Sequence, residues 1–181
     1  EAYKVELQER LGFSTEIARV MVHKAQQDPR KVVYPEGEEE KIIRAAVAAN
    51  DEKIAKPILL GNEDIIKTRI VDMGYDLSKF EIVDPETSPK AAIYADEFYK
   101  RRQRKGVTPT DTKIYMRQPN YFAAMMVELG DADAMVGGLT QHYPQTIRPA
   151  LQCIGVKKGS KLVSGMYIVI IKRKVFFFSD C

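Results

Sequence analysis

Between Gly130 and Ala150 the chain reads GDADAMVGGLTQHYPQTIRPA, which sets a short apolar strand, a glycine pair, a polar turn and one arginine in sequence. Ala134, Met135 and Val136 have the character of a buried strand end, and Gly137 and Gly138 permit positive φ and close approach to the backbone. Thr146 is placed to cap a helix whose first turn presents Arg148, with Pro149 tolerated early because an N–H there would have no helical partner. A guanidinium beside free backbone N–H groups at a helix start suits a phosphate or a carboxylate. The same pattern also fits a plain strand-to-helix connection in which Arg148 pairs with a neighbouring carboxylate.

A second group of cations lies in SPKAAIYADEFYKRRQRK, Ser88 to Lys105, where the spacing predicts one helix. A basic run at a helix end usually just suits the dipole, so angular position must separate its members. At about 100° per residue, Arg102 projects between Ala95 and Phe98 on the apolar stripe that includes Ala91, whereas Lys100 and Arg104 point away. An arginine on the inward face must meet an anion, a carboxylate or a ligand, because an unpaired buried charge is very costly. Of the two histidines, His23 falls off its helix stripe and reads as solvated, and His142 is either an acid or base or a turn residue satisfied by water.

The surrounding elements alternate. Residues 1–30 read as a linker arm and a helix capped by Ser14, with an Ile17, Val20, Met21 stripe that needs a packing partner and a stop at Asp28-Pro29. KVVYPEGEEEKIIRAAVAAN is a βα unit: strand Lys31 to Tyr34, turn Pro35 to Gly37, then a helix with Glu38, Glu39 and Glu40 at its positive end. AKPILLGN and FEIVDP are further strands, separated by a helix from Asp64 to Asp72. Thr108 to Met116 reads as a capped helix, and Asn120 to Leu129 as one whose Tyr121, Phe122, Met125 and Met126 are core. Leu162 to Ile171 and Val175 to Phe178, joined by Lys172-Arg173-Lys174, read as an antiparallel hairpin. The expected architecture is a three-layer αβα sandwich with a mixed, mainly parallel sheet. The last strand is left uncovered at Cys181, so more of the domain is expected to follow.

Composition removes several classes of function. The chain has 181 residues, 45% hydrophobic and 29% charged, which suits a globular domain or part of one. With 28 basic and 25 acidic residues the net charge is only +3, so there is no polycation to argue for nucleic acid. Two cysteines without paired spacing give neither a disulfide framework nor a metal site and fit a cytoplasmic compartment. Apolar runs such as Met166 to Ile171 are far shorter than the ~20 residues that span a bilayer.

The segment NYFAAMMVELGDADAMVGGLT followed by TIRPALQ resembles the phosphate acetyl/butyryltransferase (phosphotransacetylase) family, and YKRRQRKG is similar to that family's Y-x-x-R-x-x-K-G. The resemblance implies an isocitrate/isopropylmalate dehydrogenase-like fold, with residues 31–181 forming the N-terminal part of the domain. It also implies a site for acetyl-CoA or phosphate that includes Arg102, Gly137, Gly138, Thr146 and Arg148. The family's catalytic serine, arginine and aspartate would lie in a missing C-terminal part, so no residue here is assigned catalysis. ERLG-x-S-x-E-I resembles the join to a C-terminal domain in large bacterial NADP-dependent malic enzymes, and GLTQHYPQTIRPALQCIG is also closer to that branch. Gln141 stands where true acyltransferases have a His, and Gln145 replaces an acid. Three functions follow as alternatives: an acetyl-CoA-sensing domain attached to malic enzyme domains, a working phosphate acetyltransferase, or an oligomerisation domain with a vestigial site. NADP and a divalent metal would belong to the malic enzyme part, and self-association as a homo-oligomer is expected.

Overall fold

The structure, a computed structural model, describes residues 17–157, 159–171 and 174–179. They fall into two compact units, one running from Pro29 to Gly155 and the other holding the residues up to Asp28 and from Val156 onward.

The first unit is built on four parallel strands: β1 Arg30–Tyr34, β2 Ala55–Leu60, β3 Glu81–Val83 and β4 Ala134–Met135, ordered β3-β2-β1-β4. Side chains alternate between the faces, as strand geometry requires. Val33, Ile58 and Leu60 pack one way against helices α4 Ala91–Arg102, α5 Pro109–Met116, α6 Pro119–Glu128 and α7 Tyr143–Cys153. Tyr34 and Leu59 pack the other way against α2 Glu40–Asp51, through Ile43, Ala46 and Val47, and α3 Glu63–Asp72, through Ile66 and Ile70. Apolar residues three and four apart thus seat each helix on the sheet. Pro57 is tolerated in the interior strand β2 because β3 begins pairing one residue later, at Ile58.

Helix α6 is buried along most of its length, with Tyr121, Phe122, Met125 and Met126 in the core as their composition predicts. Phe98 of α4 is fully buried and meets the rings of Tyr115 and Tyr121 edge-on at 5.5 and 5.7 Å. The expected cap of α5 is present: Thr108 Oγ1 accepts from the Asp111 N–H at 3.2 Å, and Asp111 accepts from the Thr108 N–H at 2.8 Å.

Several expectations are corrected. The sheet of the first unit is wholly parallel rather than mixed, because the hairpin, β5 Met166–Ile171 with β6 Lys174–Ser179, satisfies its ladder within itself as a separate sheet. Residues 162–165 are not strand, and Lys174 pairs with Ile171 instead of belonging to the turn. The helix expected from Ser88 to Lys105 runs from Ala91 to Arg102; a 3₁₀ turn follows, and Gly106, at φ 85°, ends it in the left-handed conformation. Of the three acids after β1 only Glu40 lies in the first turn of α2, since Glu39 is its N-cap.

In the second unit a helix covers 17–27 (α1), and Val20 and Met21 are exposed on it, so the expected stripe has no cover there. His23 is exposed, as expected, with Gln27 Nε2 at 3.4 Å from its Nδ1. Ser14 lies outside the described residues. The hairpin exposes Tyr167, Phe177 and Phe178.

Candidate functional site

The strand order points to the site. From β1 the chain moves outward to β2 and β3 and then returns to β4 on the other side of β1. Parallel sheets take ligands beyond the carboxyl ends of their strands, at the point where the order reverses. That point is the crevice between Tyr34 and Met135, the last residues of β1 and β4.

The crevice is organised by Glu36, in the turn that leaves β1. Its Oε2 accepts the backbone N–H of Gly138 at 2.6 Å and of Leu139 at 2.9 Å, and its Oε1 accepts the Thr140 N–H and the Thr140 hydroxyl, both at 2.6 Å. Burial alone would raise the Glu36 carboxyl, but these donors outweigh it and hold the group below the ordinary carboxylate range. The three successive loop amides of 138–140 are therefore occupied by a carboxylate of the protein itself. Gly138, at φ 104°, is in a conformation side chains rarely adopt. Gly137 lies against Pro35 and Glu36, where a Cβ would make ordinary van der Waals contact, 3.5 Å from Pro35 Cδ.

The two aspartates of GDAD hold β4 in place. Asp133 accepts the Lys31 N–H at 2.8 Å, and Asp131 accepts the Tyr94 hydroxyl at 2.5 Å and also pairs with Lys90. Val136 continues the ladder by donating to Val33 O at 3.0 Å, yet it is exposed rather than buried, because β4 is an edge strand with one neighbour.

Beside the crevice opens a cleft of about 850 Å³ bordered by Tyr121, Thr140, Gln141, Pro144 and Arg148. Helix α7 starts earlier than expected: His142 is its N-cap, and the side chain of Gln145 accepts the His142 N–H at 3.0 Å. Thr146 is thus inside the helix rather than its cap, and Arg148 lies beyond the first turn. A glutamine performs the capping-box task as an acid would, so this substitution keeps its structural role. The Oγ1 of Thr146 is buried without a hydrogen-bond partner, and a Cβ at Gly138 would lie 3.6 Å from it. Asn120, buried on α6, ties the turn down through bonds to Gln141 Oε1 and, at 2.9 Å, to Gln145 O. His142, Tyr143 and Pro144 are all exposed, and Pro144 also borders the cleft.

Arg102 ends α4 on the face that carries Ala95 and Phe98, as its projection predicts, and its buried Nε lacks a hydrogen-bond partner. Burial raises the Tyr121 phenol, as do Tyr115 and Cys153, while Arg148 and Arg102 both pull it down. Two guanidinium groups from different helices thus act on one cleft residue. Arg104 is exposed on the 3₁₀ turn. Among the described residues no cluster of three or more His, Cys, Asp or Glu could hold a metal ion, and no helix is long and apolar enough to cross a membrane.

The family described as "Phosphate acetyl/butaryl transferase" matches residues 16–181. The chain belongs to the phosphate acetyl/butyryltransferase family. A phosphate acetyltransferase of Nitratidesulfovibrio vulgaris is 38% identical over 161 residues, covering 89% of this chain and 23% of that protein. An NADP-dependent malic enzyme of Rhizobium meliloti is 31% identical over 183 residues, covering 99% of this chain and 24% of that one. The EutD phosphotransacetylase structure from Staphylococcus aureus superposes with a TM-score of 0.80 at 31% identity, over 90% of this chain and 49% of the other. The chain therefore spans about a quarter of these two relatives and about half of that structure.

Within this phosphotransacetylase-family chain, sequence reasoning missed Glu36, Asn120 and Thr140, and it assigned Tyr121 to the core alone. The available signal for Glu36 was its place between Pro35 and Gly37 at a strand exit, where an acid without a helix to cap needs another purpose.

Proposed function

We propose that this chain is an acyl-CoA- and phosphate-binding domain, and that the whole protein uses it as the acetyl-CoA-sensing C-terminal part of an NADP-dependent malic enzyme, which converts malate to pyruvate and CO2. The observation that carries this reading is the reach of the malic enzyme likeness. It extends over 99% of the chain, against 89% for the N. vulgaris acetyltransferase, and so takes in the ERLG segment. Arg102, Gly137, Gly138, Thr146 and Arg148 are the proposed ligand-binding residues. The unpartnered Arg102 Nε and Thr146 Oγ1, with Arg148 at the cleft, support the three side chains, because buried polar atoms require partners; the Gly138 N–H is already taken by Glu36, so the glycines would serve only by letting a ligand approach the backbone closely. NADP and a divalent metal would be held by the malic enzyme domains.

The reading has further parts. The complete domain is isocitrate/isopropylmalate dehydrogenase-like, the protein is cytoplasmic, and it self-associates, most simply as a two-fold dimer. The exposed aromatic residues of the hairpin, Tyr167 opposite Phe178 and Phe177 opposite Ile168, support self-association, since exposed apolar surface of this kind marks contacts.

A second reading rests on the higher identity, 38%, to the N. vulgaris phosphate acetyltransferase. In it the domain exchanges acetyl between CoA and phosphate, the cations holding two anionic partners side by side. The groups that perform the transfer would lie in the part of the longer relatives that this chain does not span.

The discriminating experiment uses the full-length protein. Acetyl-CoA and phosphate are supplied and acetyl phosphate is measured; separately, NADP-dependent malate oxidation is followed with and without acetyl-CoA. Malate oxidation that responds to acetyl-CoA is the expected result. A coupling of about 1 to 3 kcal/mol would change it by roughly 5- to 150-fold if it acted on the active population. Rapid acetyl phosphate formation, with malate oxidation absent or indifferent, would establish the acetyltransferase instead.

A further inference from the structure

The segment Tyr34-Pro35-Glu36-Gly37-Glu38 leaves β1 and touches the exits of both neighbouring strands. Toward β2, the Gly37 N–H donates to Leu60 O at 3.0 Å, and Glu38 Oε1 accepts the Asn62 N–H at 2.9 Å. Toward β4, the Glu36 carboxylate accepts from four donors on Gly138, Leu139 and Thr140. Thr140 also borders the cleft where Arg148 stands, so whatever fixes Thr140 fixes one wall of the ligand site.

We propose that Glu36 is a positioning residue for anion binding: its carboxylate holds the 138–140 backbone and the Thr140 side chain in place across the switch point, so that Thr140 forms a fixed wall of the cleft beside which Arg148 meets the ligand. A consequence follows for recognition. Three successive backbone N–H groups are a ready anion site, but here a resident carboxylate fills it. The incoming phosphate or acyl-CoA anion is then read by side chains from α4 and α7 rather than by the loop amides. This rests on the acyl-CoA and phosphate reading of the same cleft.

The two glutamates make different demands, and that difference supplies the control. Glu38 uses one oxygen for one N–H, a task a glutamine oxygen can do equally well. Glu36 uses both oxygens, each accepting two donors, so Glu36→Gln turns an NH2 group toward two N–H or O–H donors whichever way it faces.

The test uses the full-length protein and its Glu36→Gln, Glu36→Ala and Glu38→Gln variants, each checked for a cooperative melt. Acetyl-CoA and inorganic phosphate are titrated calorimetrically, and hydrogen exchange is followed in peptides spanning 136–145. Glu36→Gln should weaken acetyl-CoA binding tenfold or more and speed exchange at 138–140. Formate should restore part of the binding in Glu36→Ala, and Glu38→Gln should stay within twofold of the parent. A folded Glu36→Gln that binds within twofold, or a Glu36→Ala indifferent to formate, overturns the proposal. If the Glu36 variants do not fold, exchange in the parent decides: amides 138–140 must exchange more slowly than that of Tyr143, the exposed first residue of α7, and equal rates overturn it. If the parent binds neither acetyl-CoA nor phosphate, the functional reading of the cleft fails, and the exchange data still show whether Glu36 holds the loop.

Discussion

Glu36 and Thr140 are joined twice, through the Thr140 N–H and its hydroxyl, each 2.6 Å from the same carboxylate oxygen. Both bonds need the ionised carboxylate. With the folded-state group held below its ordinary 4.5, its contribution to stability is fully present above that value and is lost as pH falls through the lower folded one. Between neutrality and pH 5 the Glu36 contribution should therefore be flat, with loss setting in only below about 4.5. Denaturant midpoints measured from neutral to strongly acid pH should differ between the parent and Glu36→Gln above about 4.5 and converge at strongly acid pH.

Gly37 should not tolerate a side chain. A Cβ there would lie 2.6 Å from Leu60 O and 2.8 Å from Leu60 N, and both are backbone atoms that cannot move aside. Gly37→Ala is expected to cost about 1–3 kcal/mol, the usual range for overpacking, read as a lower denaturant midpoint at unchanged slope.

Arg102→Ala and Arg148→Ala are each expected to weaken acetyl-CoA or phosphate binding by tenfold or more, since a charge-assisted contact contributes about 1.5–3 kcal/mol. The exposed Arg104 should be replaceable with little effect. Calorimetric titration of the three full-length variants checks this, and equal losses from all three would indicate diffuse attraction instead of a defined site.

Phe98→Ala removes a fully buried ring that stacks edge-on with Tyr115 and Tyr121. The expected cost is about 3–5 kcal/mol. Tyr121 borders the cleft, so ligand affinity should fall as well, in a protein that still melts cooperatively. Thermal unfolding followed by titration separates the two effects.

The sequence by itself determined whatever repeats over one helix turn or one strand. Alternation and apolar spacing located β1, β2, β3, α5 and α6, and the 3.6-residue period turned Arg102 inward with Ala95 and Phe98, because these patterns depend only on neighbouring residues. The order of strand, glycine pair, turn and helix over 130–150 singled out Arg148, Gly137 and Gly138, and the family motif agreed. The strand order was decided only by the tertiary structure, and with it the identity of the groups that meet at the crevice. Glu36 lies 102 to 104 residues from its donors, and nothing near it in the chain announces that its partners will be backbone amides. The same holds for Thr146, which has the chemistry of a cap but was overtaken by His142 and Gln145 four and one residues earlier. Hydrogen-bond partners across a parallel sheet are set by which strands lie side by side, and no local pattern of side chains encodes that choice.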